Sequence, residues 1–210
     1  MSNKRHQIPF FIIRHGQTDW NLERRLQGHT DIPINTTGIA QAKQAAHFLH
    51  QLSINPTRIY ASDLQRAYKT AEIIGNTHNL TVTPSPLLRE AHHGEAEGLT
   101  IEERNERFKH LIEKHIANYP DPHERGNHAA IPGAEPHNEV ITRVKNHMSW
   151  CASSHPEETT ILVSHAGVID ALIIQSGGNE NVPLPNCCIA HFTYDSNQQT
   201  LEFHTVHVAK

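Results

Sequence analysis

The apolar residues of this chain keep two rhythms in turn. Short unbroken runs, "PFFII", "RIYAS", "LTVTP" and "TTILV", are too brief for helices and are bounded by polar or turn residues, which predicts strands. Between them lie longer stretches with a single apolar face. Residues Thr37–Leu52 bring Ile39, Ala42, Ala46 and Leu49 to one side, with a threonine near the start. Asp63 is expected to open a second helix, "DLQRAYKTAEIIGNTH", and a charged third, "TIEERNERFKHLIEKHIANYP", is expected to end at Pro120. Asp121–Gly133 is rich in Pro, His and Gly and reads as a loop. "HNEVITRVKNHMSWCASSH" and "AGVIDALIIQSG" read as helices, the latter stopped by a glycine pair. The C-terminal "CCIAHFTYD" and "TLEFHTVHV" read as two strands joined by an Asp-Ser-Asn turn. Strands alternating with helices predict an α/β fold of three layers, α/β/α, around a mainly parallel sheet. No repeat and no linker divides the chain, so residues 1–210 are expected to form one domain, with 95–132 as a cap that sets specificity.

Composition narrows the function classes. With 210 residues, 37% of them hydrophobic, the chain can bury one sizeable core. The formal charge of -4 leaves no basic footprint for nucleic acid. A net acidic chain that binds an anion must gather its arginines locally. Nineteen histidines make the charge sensitive to pH. Cys151, Cys187 and Cys188 are too few and too unevenly placed for a disulfide framework, which fits a reducing compartment. The N-terminal apolar run is shorter than the roughly 7–15 residues of a signal peptide, and no run reaches the about 20 residues that span a bilayer. The expectation is a cytoplasmic protein with no membrane contact, and both a monomer and a homodimer are compatible with the sequence.

In sheets of this kind, ligands bind beyond the carboxyl ends of the strands. The first strand ends in Arg14-His15-Gly16, "TTILV" ends in Ser164-His165-Ala166-Gly167, and "RIYAS" ends in Ser62, with Arg66 in the next helical turn. Glu90 follows the third strand in "LLREAHHGEAEGL". Each residue alone has an ordinary structural explanation: a surface arginine, a hydrogen-bonded core histidine, a solvated carboxylate. Gathered at one sheet edge, two arginines and two histidines make a site for a doubly charged anion, because guanidinium forks match phosphate oxygens. Ala166, Gly167 and Val168 begin a helix, so their amides are expected to add pull on that anion. A neutral imidazole can attack phosphorus, and a nearby carboxylic acid can protonate the departing alkoxide.

Five segments in order, "RHGQTDWN", "LQGHTDIPINTTG", "ASDLQRAYKTA", "LREAHHGEAEGL" and "ILVSHAGVIDAL", resemble the motifs of the histidine phosphatase superfamily, in its phosphoglycerate-mutase-like branch. The resemblance runs from about Phe10 to Leu172. It implies that His15 is the phosphorylated nucleophile, that Arg14, Arg66 and His165 surround the phosphate, that Asn21 is a further phosphate contact, and that Glu90 is the proton donor. It implies no metal and no other cofactor, with a small phosphorylated metabolite as the partner.

The chain departs from the family pattern in two places. Ala96 stands where an aromatic often precedes the Glu-Gly pair, and Ala134 and Pro136 alter a Pro-Gly-Gly-Glu-Ser segment, so Glu135 is read as structural. His92 and His93 are read as either lining the pocket mouth or solvated. Arg25 is read as an ion-pair partner near the phosphate loop and Arg24 as exposed. The spacing of His47 and His50, and of His204 and His207, lacks the carboxylates or cysteines that would complete a metal site. The reading is a phosphatase that works through phosphohistidine. The alternatives are a phosphoglycerate mutase using the same nucleophile and a catalytically idle binding protein on the same fold. The mutases of this family resemble one another in a paired-arginine segment after the Glu motif, whereas "TIEERNERFKHLIEK" dilutes its cations with glutamates.

Overall fold

Strand β1 (Gln7–Arg14) is buried on both faces, and its alternating side chains feed two cores. Ile8, Phe10 and Ile12 point into one, with Val144 and Met148 of helix α6 (His137–Ser154) and Ile169 and Leu172 of α7 (Ala166–Gln175). Phe11 and Ile13 point into the other, with Leu49 of α2 (Thr36–Gln51) and Ala67, Ala71 and Ile74 of α3 (Gln65–His78). An unbroken apolar run is therefore what a central strand between two helix layers requires. The computed structural model describes residues 7–119, 130–179 and 182–209. The expected stop at Pro120 and most of the 121–133 loop lie outside those residues.

The sheet has the order β3-β2-β4-β1-β5-β6. The strands β2 (Arg58–Ala61), β3 (Val82–Pro84) and β4 (Thr160–Ser164) run parallel with β1, and β5 (Ile189–Asp195) and β6 (Thr200–His207) close one edge antiparallel. The fold is thus mixed α/β, with helices on both faces of a mainly parallel sheet. The late strand β4 is inserted between β1 and β2. Its register pairs Arg14 with Ser164 and Ala61 with Val163, so the carboxyl ends of three strands stand side by side. The opposite edge is closed by β3, three residues long and ending in Pro84, which offers little to a pairing strand.

Two local expectations need correction, and one element is added. Helix α3 begins at Gln65, not at Asp63, and Leu64 in its N-cap position supplies no side-chain hydrogen bond. The Asp63 carboxylate is instead taken by Arg89 through Nε and Nη2, at 2.7 and 2.6 Å. The cap comes from a neighbouring loop, where Asp31 accepts the Gln65 amide at 2.7 Å. The charged helix is two helices, α4 (Ile101–Arg107) and α5 (Lys109–Asn118), which part at Phe108. Phe108 turns inward and forms a small separate core with Ala96 and Ile131, so the bulk missing at Ala96 is supplied from the helix break. A short α1 (Asp19–Leu22), held by a Thr18–Asn21 capping box, was not visible in the apolar pattern. No helix among the described residues is long and apolar enough to cross a membrane.

Candidate active site

The β1 strand ends at Arg14, and the next amide, that of His15, donates to Ser164 O at 3.0 Å, which joins the ends of β1 and β4. His15 and His165 consequently follow paired strands, with ring centroids 5.2 Å apart. Both are almost completely buried. The His15 ring is fixed by a 2.7 Å hydrogen bond between Nδ1 and Gly16 O. A carbonyl only accepts, so Nδ1 carries the proton and Nε2 carries the free lone pair. Gly16 is held in turn by its amide donating to Thr70 Oγ1 at 2.9 Å, and Asn186 Nδ2 donates to His15 O at 3.0 Å.

Arg14 and Arg66 flank this imidazole. Arg66 is fully buried, and its Nη1 and Nη2 donate to Thr30 O and Gly28 O at 3.0 and 2.7 Å. Arg14 Nη1 donates to Leu184 O. The Nε of each arginine, and both ring nitrogens of His165, are buried with no hydrogen-bond partner in the protein. Burial lowers the Arg66 pKa to about 10, with Glu90, Asp31 and Glu97 working in the opposite direction, so it remains a cation at neutral pH. Burial first, then the Arg66 and Arg14 charges, push the His15 pKa well below its ordinary 6.5. Burial, Arg66 and His15 do the same for His165. The site is therefore two neutral imidazoles between two guanidinium cations.

Glu90 closes the site. Its carboxylate accepts from the Gly167 amide at 3.1 Å and from its own neighbour Ala91 at 3.1 Å. A Cβ on Gly167 would lie 2.6 Å from Glu90 Oε1, so only glycine allows this approach. The start of α7 thus holds Glu90, and of the three amides expected to face an anion, that of Gly167 is already engaged. Behind Glu90, Arg143 Nη2 and His29 Nε2 both donate to its backbone carbonyl at 3.0 Å. Arg143 also grips Glu135 through Nε and Nη2 at 2.7 and 2.9 Å, which agrees with a structural role for Glu135.

Asn21 Oδ1 accepts from Thr18 N at 3.0 Å and from Asn186 Nδ2 at 3.2 Å, so its own amide nitrogen is the end left for a ligand. Arg14, His15, Asn21, Arg66, Glu90 and Ala166 all line one cavity of about 130 Å³. His165 lies against it through the His15 ring. Of the two histidines after Glu90, His93 lines the cavity, whereas His92 is turned to accept the Gly94 amide through Nδ1 at 2.8 Å. Arg25 pairs with Glu23 at 2.7 Å and also reaches the lining. Sequence reasoning missed the rest of that wall, Leu26, Gln27 and Gly28, although "LQGHTD" marked the loop. It also missed Thr70, Arg143 and Asn186, which no residue pattern announces. Cys187 and Cys188 adjoin Arg14 in the backbone network, and burial raises their thiol pKa values to about 12 and about 11, leaving them unreactive.

Two larger clefts lie elsewhere, of about 380 Å³ beside Lys145 and Tyr194 and about 410 Å³ beside Tyr60 and Trp150. Neither gathers a comparable set of ionisable groups. Among the described residues, no three His, Cys, Asp or Glu side chains are grouped as metal ligands.

The family described as histidine phosphatase superfamily (branch 1) matches residues 10–207. The "Uncharacterized phosphatase PhoE" of Bacillus subtilis is 32% identical over 187 residues, covering 87% of this chain and 86% of that one. The "Probable phosphoglycerate mutase GpmB" of Salmonella choleraesuis is 31% identical over 196 residues, 91% of this chain and 87% of that one. A mycobacterial glucosyl-3-phosphoglycerate phosphatase, solved with VO3, superposes with a TM-score of 0.78 at 26% identity, over 96% of this chain and 98% of that one. The phosphoglycerate mutase of Bacillus anthracis shares the fold, with a TM-score of 0.82 at 20% identity over 98% and 95% of the two chains. This chain belongs to branch 1 of the histidine phosphatase superfamily.

Proposed function

We propose that the protein is a metal-independent phosphatase that hydrolyses a small soluble phosphomonoester through phosphohistidine at His15. The observation that carries this reading is the His15 ring, locked with Nδ1 on Gly16 O so that Nε2 is the free nucleophile. The dianionic phosphoryl group sits between Arg14 and Arg66, whose Nε donors have no protein partner. Buried donors left unpaired cost about 1–3 kcal/mol each, and a phosphoryl oxygen removes that cost. Nε2 attacks phosphorus, the P–O ester bond breaks as the N–P bond forms, and Glu90 in its acid form protonates the leaving alkoxide. Glu90, now a carboxylate, takes a proton from the water that attacks phosphorus. The N–P bond breaks, phosphate leaves, and neutral His15 is restored. Fixed cations and His165 stabilise the charge that develops on the transferring group, the task a metal performs elsewhere. The protein works in the cytoplasm on a phosphorylated metabolite, with neither nucleic acid nor membrane as partner, and the segment 95–132, as far as it is described (95–119 and 130–132), caps the site and selects the substrate.

The second reading is a phosphoglycerate mutase, favoured by the likeness to GpmB. One incubation separates them, with 3-phosphoglycerate and a trace of 2,3-bisphosphoglycerate. Rapid 2-phosphoglycerate formation without matching phosphate release favours the mutase. Hydrolysis of an aryl phosphate that is lost in His15→Ala and survives chelators favours the phosphatase. An aryl phosphate left untouched by the wild-type protein, with no isomerisation either, contradicts both.

A further inference from the structure

We propose that Glu97 is a positioning residue that sets Arg66 for the phosphoryl group by tying down the loop whose carbonyls hold that arginine. The inference rests on the phosphatase reading, since it takes Arg66 to grip phosphate. The two Glu97 oxygens accept four hydrogen bonds. Oε1 takes the amides of His29 and His93 at 2.8 and 3.2 Å, and Oε2 takes the Thr30 amide and Thr30 Oγ1 at 2.9 and 2.6 Å. Burial alone would raise the Glu97 pKa, but the bonds from Thr30, His29 and His93 lower it below its ordinary value, so the group is a carboxylate with four acceptor positions in use. The same loop then turns its carbonyls the other way, with Gly28 O and Thr30 O accepting from the two terminal nitrogens of Arg66.

Those two carbonyls fix the plane of the guanidinium. Of its five N–H donors they occupy two, leaving Nε–H and one hydrogen on each terminal nitrogen for an anion. The loop is built around the carboxylate. Gly28 has a φ of +52°, and a Cβ there would stand 2.1 Å from Glu97 Oε1, so this position must be glycine both for its backbone and for the approach of Glu97. Because Glu97 also holds the His93 amide, one carboxylate connects the loop behind Arg66 with the segment that follows Glu90. Glu97 lines no part of the cavity with Arg14, His15 and Arg66, so it acts through Arg66 and not on substrate.

A double-mutant cycle tests the inference. Glu97→Gln keeps the shape but turns an NH2 toward groups that are themselves donors, so the loop loses its anchor. Inhibition by vanadate should weaken about tenfold or more, as expected when hydrogen bonds to a charged group are replaced by opposed donors. kcat/KM should fall by the same factor for aryl and alkyl phosphates, because the grip on phosphate and not proton donation is impaired. In an Arg66→Ala background the same substitution should cost almost nothing further. Thr30→Val removes only the Oγ1 donor and should show a smaller loss of the same kind, which preserves the test if Glu97→Gln does not fold. Unchanged vanadate inhibition in these variants, losses that add to that of Arg66→Ala, or a loss confined to poor leaving groups overturns the proposal. If wild-type protein neither binds vanadate nor hydrolyses a phosphomonoester, the phosphatase reading falls and takes this inference with it. If wild-type protein does both and the cycle is additive, only the role of Glu97 falls.

Discussion

Two buried histidines that both feel the charges of two arginines cannot easily carry charge themselves, and that constraint acts at the scale of single residues. Burial and the neighbouring guanidinium groups hold His15 well below its ordinary pKa of 6.5, so the ring is neutral in the folded protein at neutral pH, as the proposed nucleophile must be. Lowering the pH through 6.5 should leave the ring neutral and protonated at Nδ1, as read from its nitrogen chemical shifts. A titration midpoint near 6.5 would show that the arginines do not control it. In the proposed mechanism Glu90 has the complementary task. Glu90→Gln should slow alkyl phosphates about 10²–10⁴-fold while sparing an activated aryl phosphate, since only a poor leaving group needs the proton. Equal losses on both would move the acid role to another group, with His93 next because it lines the same cavity.

Among the elements, helix α3 links the fold most directly to the site, because Arg66 is its second residue and Thr70 lies one turn on. Its N-terminus is capped from outside by Asp31. Asp31→Ala should therefore lower stability by about 1 kcal/mol, the usual worth of an N-cap, measurable by urea unfolding, and should loosen Arg66 as well. Asp63 is the residue a local reading prefers for that cap, and the reading fails because Arg89 competes for the same carboxylate. Periodicity made the strands and long helices legible, since their apolar faces are set by the two cores on either side of β1. The strand ends made Arg14, His15 and His165 legible for the same reason, as parallel strands must deliver their carboxyl ends to one edge. Arg143, Asn186 and Thr70 were not legible, because each acts through contacts that only tertiary folding makes. The break at Phe108 was hidden because the charge pattern runs on through it while one aromatic turns inward.

At the scale of the whole molecule, the buried histidines that serve the site also tie its stability to pH. His147, held at a pKa of about 4 by burial, belongs with His15 and His165 in being neutral when folded. Unfolding frees each ring to take up a proton below its ordinary 6.5, so the unfolded state binds more protons and stability falls as pH drops. The melting temperature should decline steadily from about pH 6.5 toward 4, and His147→Gln should flatten that slope relative to wild type. A Tm that is level across this window would mean that the rings are solvated in the folded protein. The covalent role of His15 is the claim on which the functional account stands. Rapid acid-free quenching of the wild-type protein during turnover of a labelled phosphomonoester, followed by peptide mapping, tests it most directly. The account predicts one acid-labile, base-stable phosphate on the peptide carrying His15, absent in His15→Ala. Turnover with no phosphorylated peptide, or with the label on another residue, would contradict it.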